Sequence, residues 1–277
     1  MMINIVMLLF TAYLFYRWRK QRSERHLVNR DNSKGKGIRI AIIDSGIFPH
    51  KDLTISGGVN LVDPSEGCGD DFGHGTHIAG IIASKLNGLA PGAEIYAVKV
   101  LDKVGNGRIA DVVKGIEWAI EHEMDIINMS LLTQTDCPQL EDAVKRAYDH
   151  GILLVAAAGN TGKSENSNVM FPARYAEVIA VSAVNSRLQR APFSSHGNGI
   201  EFAAIGVKVK STYLKNKYKS FSGTSVAAPV VSARLAILKE ENPGLSHIEL
   251  RDLLQKSAVD IGPEGVDSFS GYGLVQK

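Results

Sequence analysis

The chain predicts an α/β fold of three layers, a mainly parallel β-sheet with helices on both faces. Three observations predict it. Apolar runs of strand length alternate with amphipathic segments of helical period from residue 38 onward, the order that successive βα units produce. Polar residues (Asp44, Ser130 and Asn160) stand at the carboxyl ends of three of those runs, where the sites of open α/β sheets collect. With 277 residues, 44% hydrophobic and 22% charged, the chain can bury one sizeable core.

Residues 1–16 are almost wholly apolar, and Arg17-Trp18-Arg19-Lys20-Gln21-Arg22 follows at once. A secretory signal carries its basic residues before the apolar run and a small-residue cleavage site after it; neither is present. Residues 1–20 are therefore expected to form an uncleaved single-pass membrane anchor. The basic block on its C-terminal side would hold the following domain in the cytoplasm. The alternative is an export signal that takes the domain to the cell surface or beyond. Residues 21–37, polar and basic, read as a tether, and residues 38–277 as the folded domain.

Within the domain, residues 38–43 read as a strand ended by Asp44-Ser45-Gly46. Asp70-Asp71-Phe72-Gly73-His74-Gly75-Thr76-His77 leads into a small-residue helix through Ile78, Ile81 and Ile82. Residues 94–101 form a buried strand, followed by the Gly105-Asn106-Gly107 turn and an amphipathic helix over 109–122. Strands are expected at 125–131, 152–157 and 177–184, a helix at 139–150, and shorter strands at 200–204 and 207–212. Ser222-Gly223-Thr224-Ser225 opens a helix running through Leu235, Ile237 and Leu238, and a last helix covers 247–257.

A net charge of +2 argues against a nucleic-acid partner. Cys68 and Cys137 make no disulfide framework and have no metal-ligand spacing; both read as free thiols, and no cofactor is implied.

Ser225 lies between a glycine turn and the first turn of a helix, where unpaired N–H groups face any negative charge developing beside its hydroxyl. Taken singly, Ser225 and His74 are helix caps, and Asp44 and Asn160 turn residues. Together they carry more. The blocks AIIDSGI, GHGTHIAG, INMSL, AAAGN and GTSVAAP, in that order, resemble the motif blocks of the subtilisin-like serine peptidases (subtilases) over about residues 38–274.

That resemblance implies a subtilisin-like fold and a serine endopeptidase acting through an acyl-enzyme. Ser225 would be the nucleophile, His74 its base and Asp44 the acid that orients the imidazole. Asn160 would donate to the oxyanion beside the Ser225 N–H, with Thr224 assisting or capping. His77 would bury its ring in helix packing, since two histidines three apart without an intervening Glu do not make a zinc helix; no metal is expected. A peptide would lie as an added strand between Gly105, Asn106, Gly107 and Ser130, Leu131, Leu132, with Gly159 and Met170 at the pocket for the residue before the cut. A monomer is expected. The alternatives are an inactive peptide-binding module of the same fold and a cyclising acyl transferase.

The chain also departs from the family pattern. Leu132 and Thr133 stand where glycines usually follow, and should narrow the cleft or add apolar contact. Met170 replaces a glycine and should shorten the pocket. The segment 83–91 is too short for the family's calcium loop, which leaves Asp52 as a surface acid and no high-affinity calcium there. Val226 replaces an oxidisable methionine, and the residues before the domain are too few for the family's prodomain.

Overall fold

The structure is a computed structural model that describes residues 32–164 and 168–276. Seven strands form one sheet: β1 (Arg39–Asp44), β2 (Ile55–Asn60), β3 (Glu94–Lys99), β4 (Ile126–Met129), β5 (Leu153–Ala157), β6 (Val178–Val184) and β7 (Phe202–Ile205). Their order is β2-β3-β1-β4-β5-β6-β7, and every pairing is parallel. The chain fills one side of β1 first and then crosses to β4 on the other. The sheet's switch point therefore lies at the carboxyl ends of β3, β1 and β4, where a crevice opens.

Among the described residues, five helices cover the sheet: α1 (His74–Ala83), α2 (Ile109–Glu121), α3 (Pro138–Asp149), α4 (Thr224–Glu241) and α5 (His247–Ser257). The strand period of two sorts the core into two layers. Ile40 and Ile42 of β1 pack with Ile78 and Ile82 of α1 and Val231 and Leu235 of α4. Ala41 and Ile43 face the opposite way, toward Val112 and Ile116 of α2 and Val144 of α3. Thirteen of the 18 residues of α4 are buried, which is why its sequence is apolar all round rather than striped. The short α5 begins with a capping box between Ser246 and Glu249.

A polar hairpin, β8 (Val209–Tyr213) and β9 (Lys217–Phe221), lies outside the main sheet. Side chains bind it to α1. Ser211 Oγ donates to the His77 carbonyl at 2.8 Å, and Thr212 Oγ1 to that of Thr76 at 2.7 Å. His77 Nε2 lies 3.1 Å from the Val209 carbonyl and 3.0 Å from that of Lys219. Burial pushes the His77 pKa down to about 4, so its ring is neutral and donates from Nε2. It packs against Phe221 with ring centroids 4.5 Å apart.

The anchor expected at residues 1–20 and the tether up to residue 31 lie outside the described residues. Residues 33–37 are held on the domain: the Gly35 N–H donates to Glu240 at 2.6 Å, and the Gly92 N–H to the Lys34 carbonyl at 2.9 Å. Among the described residues, no helix is long and apolar enough to cross a membrane.

Asp52 corrects the surface-acid expectation. It is only 8% exposed and accepts the Tyr218 hydroxyl, while its N–H donates to His50 Nδ1 at 3.1 Å. Burial, with the adjacent carboxylate adding, pushes the Tyr218 hydroxyl up to about 12, so it stays a donor. The burial comes from β9, a strand that sequence pattern does not show.

Candidate active site

Asp44 is the last residue of β1, fully buried, and the first residue of α1 is His74. His74 Nδ1 lies 2.9 Å from both Asp44 oxygens. Only a glycine fits beside this pair: a Cβ on Gly75 would lie 2.2 Å from the Gly46 carbonyl oxygen. Burial works against a charged His74. The Asp44 charge, its hydrogen bond and the charge of Asp70 outweigh it, and the His74 pKa is raised.

Asp70 is the residue that sequence reasoning missed. Its carboxylate, 5% exposed, accepts five hydrogen bonds. Oδ1 takes Ser45 Oγ at 2.9 Å, Phe72 N–H at 3.0 Å and Gly73 N–H at 2.7 Å. Oδ2 takes Thr76 N–H at 2.9 Å and Thr76 Oγ1 at 2.6 Å. Ser45 Oγ in turn accepts the Gly75 N–H at 2.9 Å. One acid therefore ties the turn after Asp44 to the start of the helix that carries His74. The available signal was an acid four residues before a histidine at a helix start, where a carboxylate meets unpaired N–H groups.

Ser225 is the second residue of α4, beside the N-cap Gly223. A Cβ on Gly223 would lie 3.0 Å from Ser225 Oγ and 3.7 Å from both Asn160 Nδ2 and Ser225 N. The hydroxyl and two N–H donors thus surround one small space. Asn160 is oriented through its oxygen, which accepts the Thr224 N–H at 3.0 Å and Thr224 Oγ1 at 3.2 Å; this leaves the amide nitrogen to donate. Thr224 Oγ1 also accepts the Gly159 N–H at 3.1 Å. Its side chain positions Asn160 and does not cap the helix.

Pro229, inside α4, has no N–H for the Ser225 carbonyl one turn before it. Ser130 supplies the missing donor: its Oγ gives a 2.8 Å bond to the Ser225 carbonyl. Ser130 Oγ accepts from Asn128 Nδ2 at 3.0 Å, and Asn128 Oδ1 accepts from Ser232 Oγ at 2.9 Å. A buried polar chain thus joins the Ser225 helix to β4.

His74, Asn160 and Ser225 line one cavity of about 490 Å³, together with Gly105, Asn106, Gly107, Ser130, Leu131 and Leu132. Gly105 has φ +84°, and a Cβ there would strike the Phe72 ring at 2.8 Å. Leu132 is 42% exposed on the cavity wall, an apolar contact at the position where a glycine was noted as usual. Gly159 and Met170 are not brought to that wall. Met170 is buried behind Gly159, whose Cβ would lie 2.4 Å from Met170 Cγ. A half-buried base held by a buried carboxylate, beside a serine hydroxyl and two aimed N–H donors, has the parts for nucleophilic acyl transfer.

Over residues 35–273 the chain matches the family model described as "Subtilase family". It is 49% identical over 247 residues to the Minor extracellular protease Epr of Bacillus subtilis (strain 168), covering 87% of this chain and 38% of that protein. It is 47% identical over 246 residues to the Thermostable alkaline protease of Halalkalibacterium halodurans, covering 87% and 66%. With Subtilisin BL of Lederbergia lenta it shares 40% over 263 residues, covering 93% and 96%. The chain thus spans about two fifths of the first relative's length and just under two thirds of the second's.

The expected localisation is corrected here. A single-pass anchor with a cytoplasmic domain does not accord with a relative named an extracellular protease. The apolar run of about 16 residues is also short of the ~20 that a hydrocarbon core takes.

Proposed function

This chain belongs to the subtilase family, a family of serine-type endopeptidases, and from that premise we propose that it hydrolyses peptide bonds through an acyl-enzyme on Ser225. His74 takes the Ser225 proton as the hydroxyl attacks the scissile carbonyl, and returns it to the leaving amine. Asp44 holds the imidazole by Nδ1 and stabilises its charged form. Asn160 Nδ2 and the Ser225 N–H receive the developing oxyanion. The substrate lies as an added strand between residues 105–107 and 130–132, and the activity resides in the domain from residue 38.

The observation that carries this reading is the His74–Asp44 pair at 2.9 Å, with His74, Ser225 and Asn160 on the wall of one cavity. The test is cleavage of a quenched peptide in ¹⁸O water. Hydrolysis puts one ¹⁸O into the new carboxylate of a product of free-acid mass. Ser225→Ala should abolish it, by roughly 10⁶-fold, a magnitude known from subtilisin rather than worked from this structure. Undiminished cleavage by Ser225→Ala, or joined product ends without ¹⁸O, would overturn the proposal.

A further inference from the structure

A second cavity, of about 340 Å³, adjoins the first at His74 and Ser225 and is walled by Phe72, Tyr213, Lys219 and Phe221. The two cavities share the nucleophile and base, but only the first holds Asn160, the oxyanion donor. A peptide crossing Ser225 has its acyl part in the first cavity. The residues after the cut, whose amine His74 must protonate, enter the second.

That second wall is basic. Residues 207–221 hold five lysines (208, 210, 215, 217 and 219) and no acid. All five are exposed, and none has an ion-pair partner among the described residues. Strand period places Lys217 and Lys219 on the same hairpin face as Phe221. Lys219 Nζ stands 4.8 Å from the centre of the Tyr213 ring and 4.9 Å from that of Phe221, so two aromatic faces hold the ammonium over the pocket. Asp71, next in sequence to the cavity residue Phe72, is already paired to Lys99 at 2.7 Å. Lys210 points to the other face, over Tyr218.

Resting on the peptidase reading, we infer that Lys219 selects acidic side chains in the first residues after the scissile bond. The apolar walls take the stem of a Glu while the ammonium meets its carboxylate. The pair is exposed, so the gain is modest, about threefold to fivefold in kcat/KM at low ionic strength, and salt screens it.

The test uses the full chain and two quenched peptides that differ only by Glu or Gln in the two positions after the cut. The Glu peptide should be cut about threefold to fivefold faster at ~0.02 M salt, and equally fast near 1 M. Lys219→Gln should bring the low-salt ratio to unity and Lys219→Glu should invert it; unchanged melting temperatures exclude a folding effect. Lys210→Gln should leave the ratio as in the wild type. Equal rates in the wild type, a preference retained in Lys219→Gln, or an equal loss in Lys210→Gln would overturn the inference and leave the peptidase reading standing. Cleavage of neither peptide would overturn both.

Discussion

Replacing Asp70 by Asn tests whether one buried acid holds the His74 helix against the turn after Asp44. The side chain keeps its shape, but one acceptor oxygen becomes a donor. If the new amide faces Thr76, the Thr76 N–H loses its acceptor. If it faces the other way, the Phe72 and Gly73 N–H groups both do. The first orientation is cheaper. It still leaves one buried N–H opposed by a donor, which costs about 1–3 kcal/mol, and it weakens the remaining bonds by removing their charge. About 3 kcal/mol is the sum, or about 6–12 °C in melting temperature for a domain of this size. A second readout separates positioning from stability. Asp70 is among the charges that raise the His74 pKa, so the acid limb of kcat/KM should move to lower pH in Asp70→Asn. A melting temperature within about 2 °C of wild type together with an unmoved acid limb would refute the reasoning.

Four further outcomes follow from the same geometry. The base must be neutral to accept the Ser225 proton, and its pKa is raised; activity should therefore appear as pH rises through a midpoint above the ordinary imidazole value of about 6.5. Asp44→Asn should lower that midpoint and cut kcat by about 10⁴-fold, both read from a pH–rate profile. Ser130→Ala should strand the Ser225 carbonyl that Pro229 cannot serve. It should cost about 1–3 kcal/mol in urea unfolding and lower kcat more than it changes KM. Met170→Gly removes the side chain behind Gly159, and a peptide library should then show larger residues accepted before the cut.

Burial made most of the fold legible. Residues 40–43 of β1, all of β5, and β6 apart from Ser182 are buried apolar runs, and α1 and α4 start at motif residues. β2 and β9 were not legible for opposite reasons. β2 is an edge strand with Gly57 and Gly58 at its centre and an irregular register against β3. β9, Lys-Tyr-Lys-Ser-Phe, is half polar and is held by backbone pairing and by His77. Each hidden element then hid a side chain: without β9, Asp52 reads as exposed and Lys219 as a surface charge. Within the site, motif order singled out Asp44, His74, Asn160 and Ser225, but not what supports them. Asp70's bonds to residues 72, 73 and 76 are local, but its bond to Ser45 and those of Thr224 and Ser130 join segments many residues apart, and no local pattern encodes them. Motif position puts Met170 at the bottom of a pocket; its burial behind Gly159 depends on packing.

The central claim is that Ser225 is a nucleophile activated by His74. Labelling with a fluorophosphonate, followed by mass spectrometry of the digested protein, tests it most directly. A single adduct on the peptide containing Ser225, lost in Ser225→Ala and strongly slowed in His74→Ala, is the predicted result. Equal labelling of Ser225→Ala, or an unlabelled wild-type protein that still cleaves peptides, would contradict it.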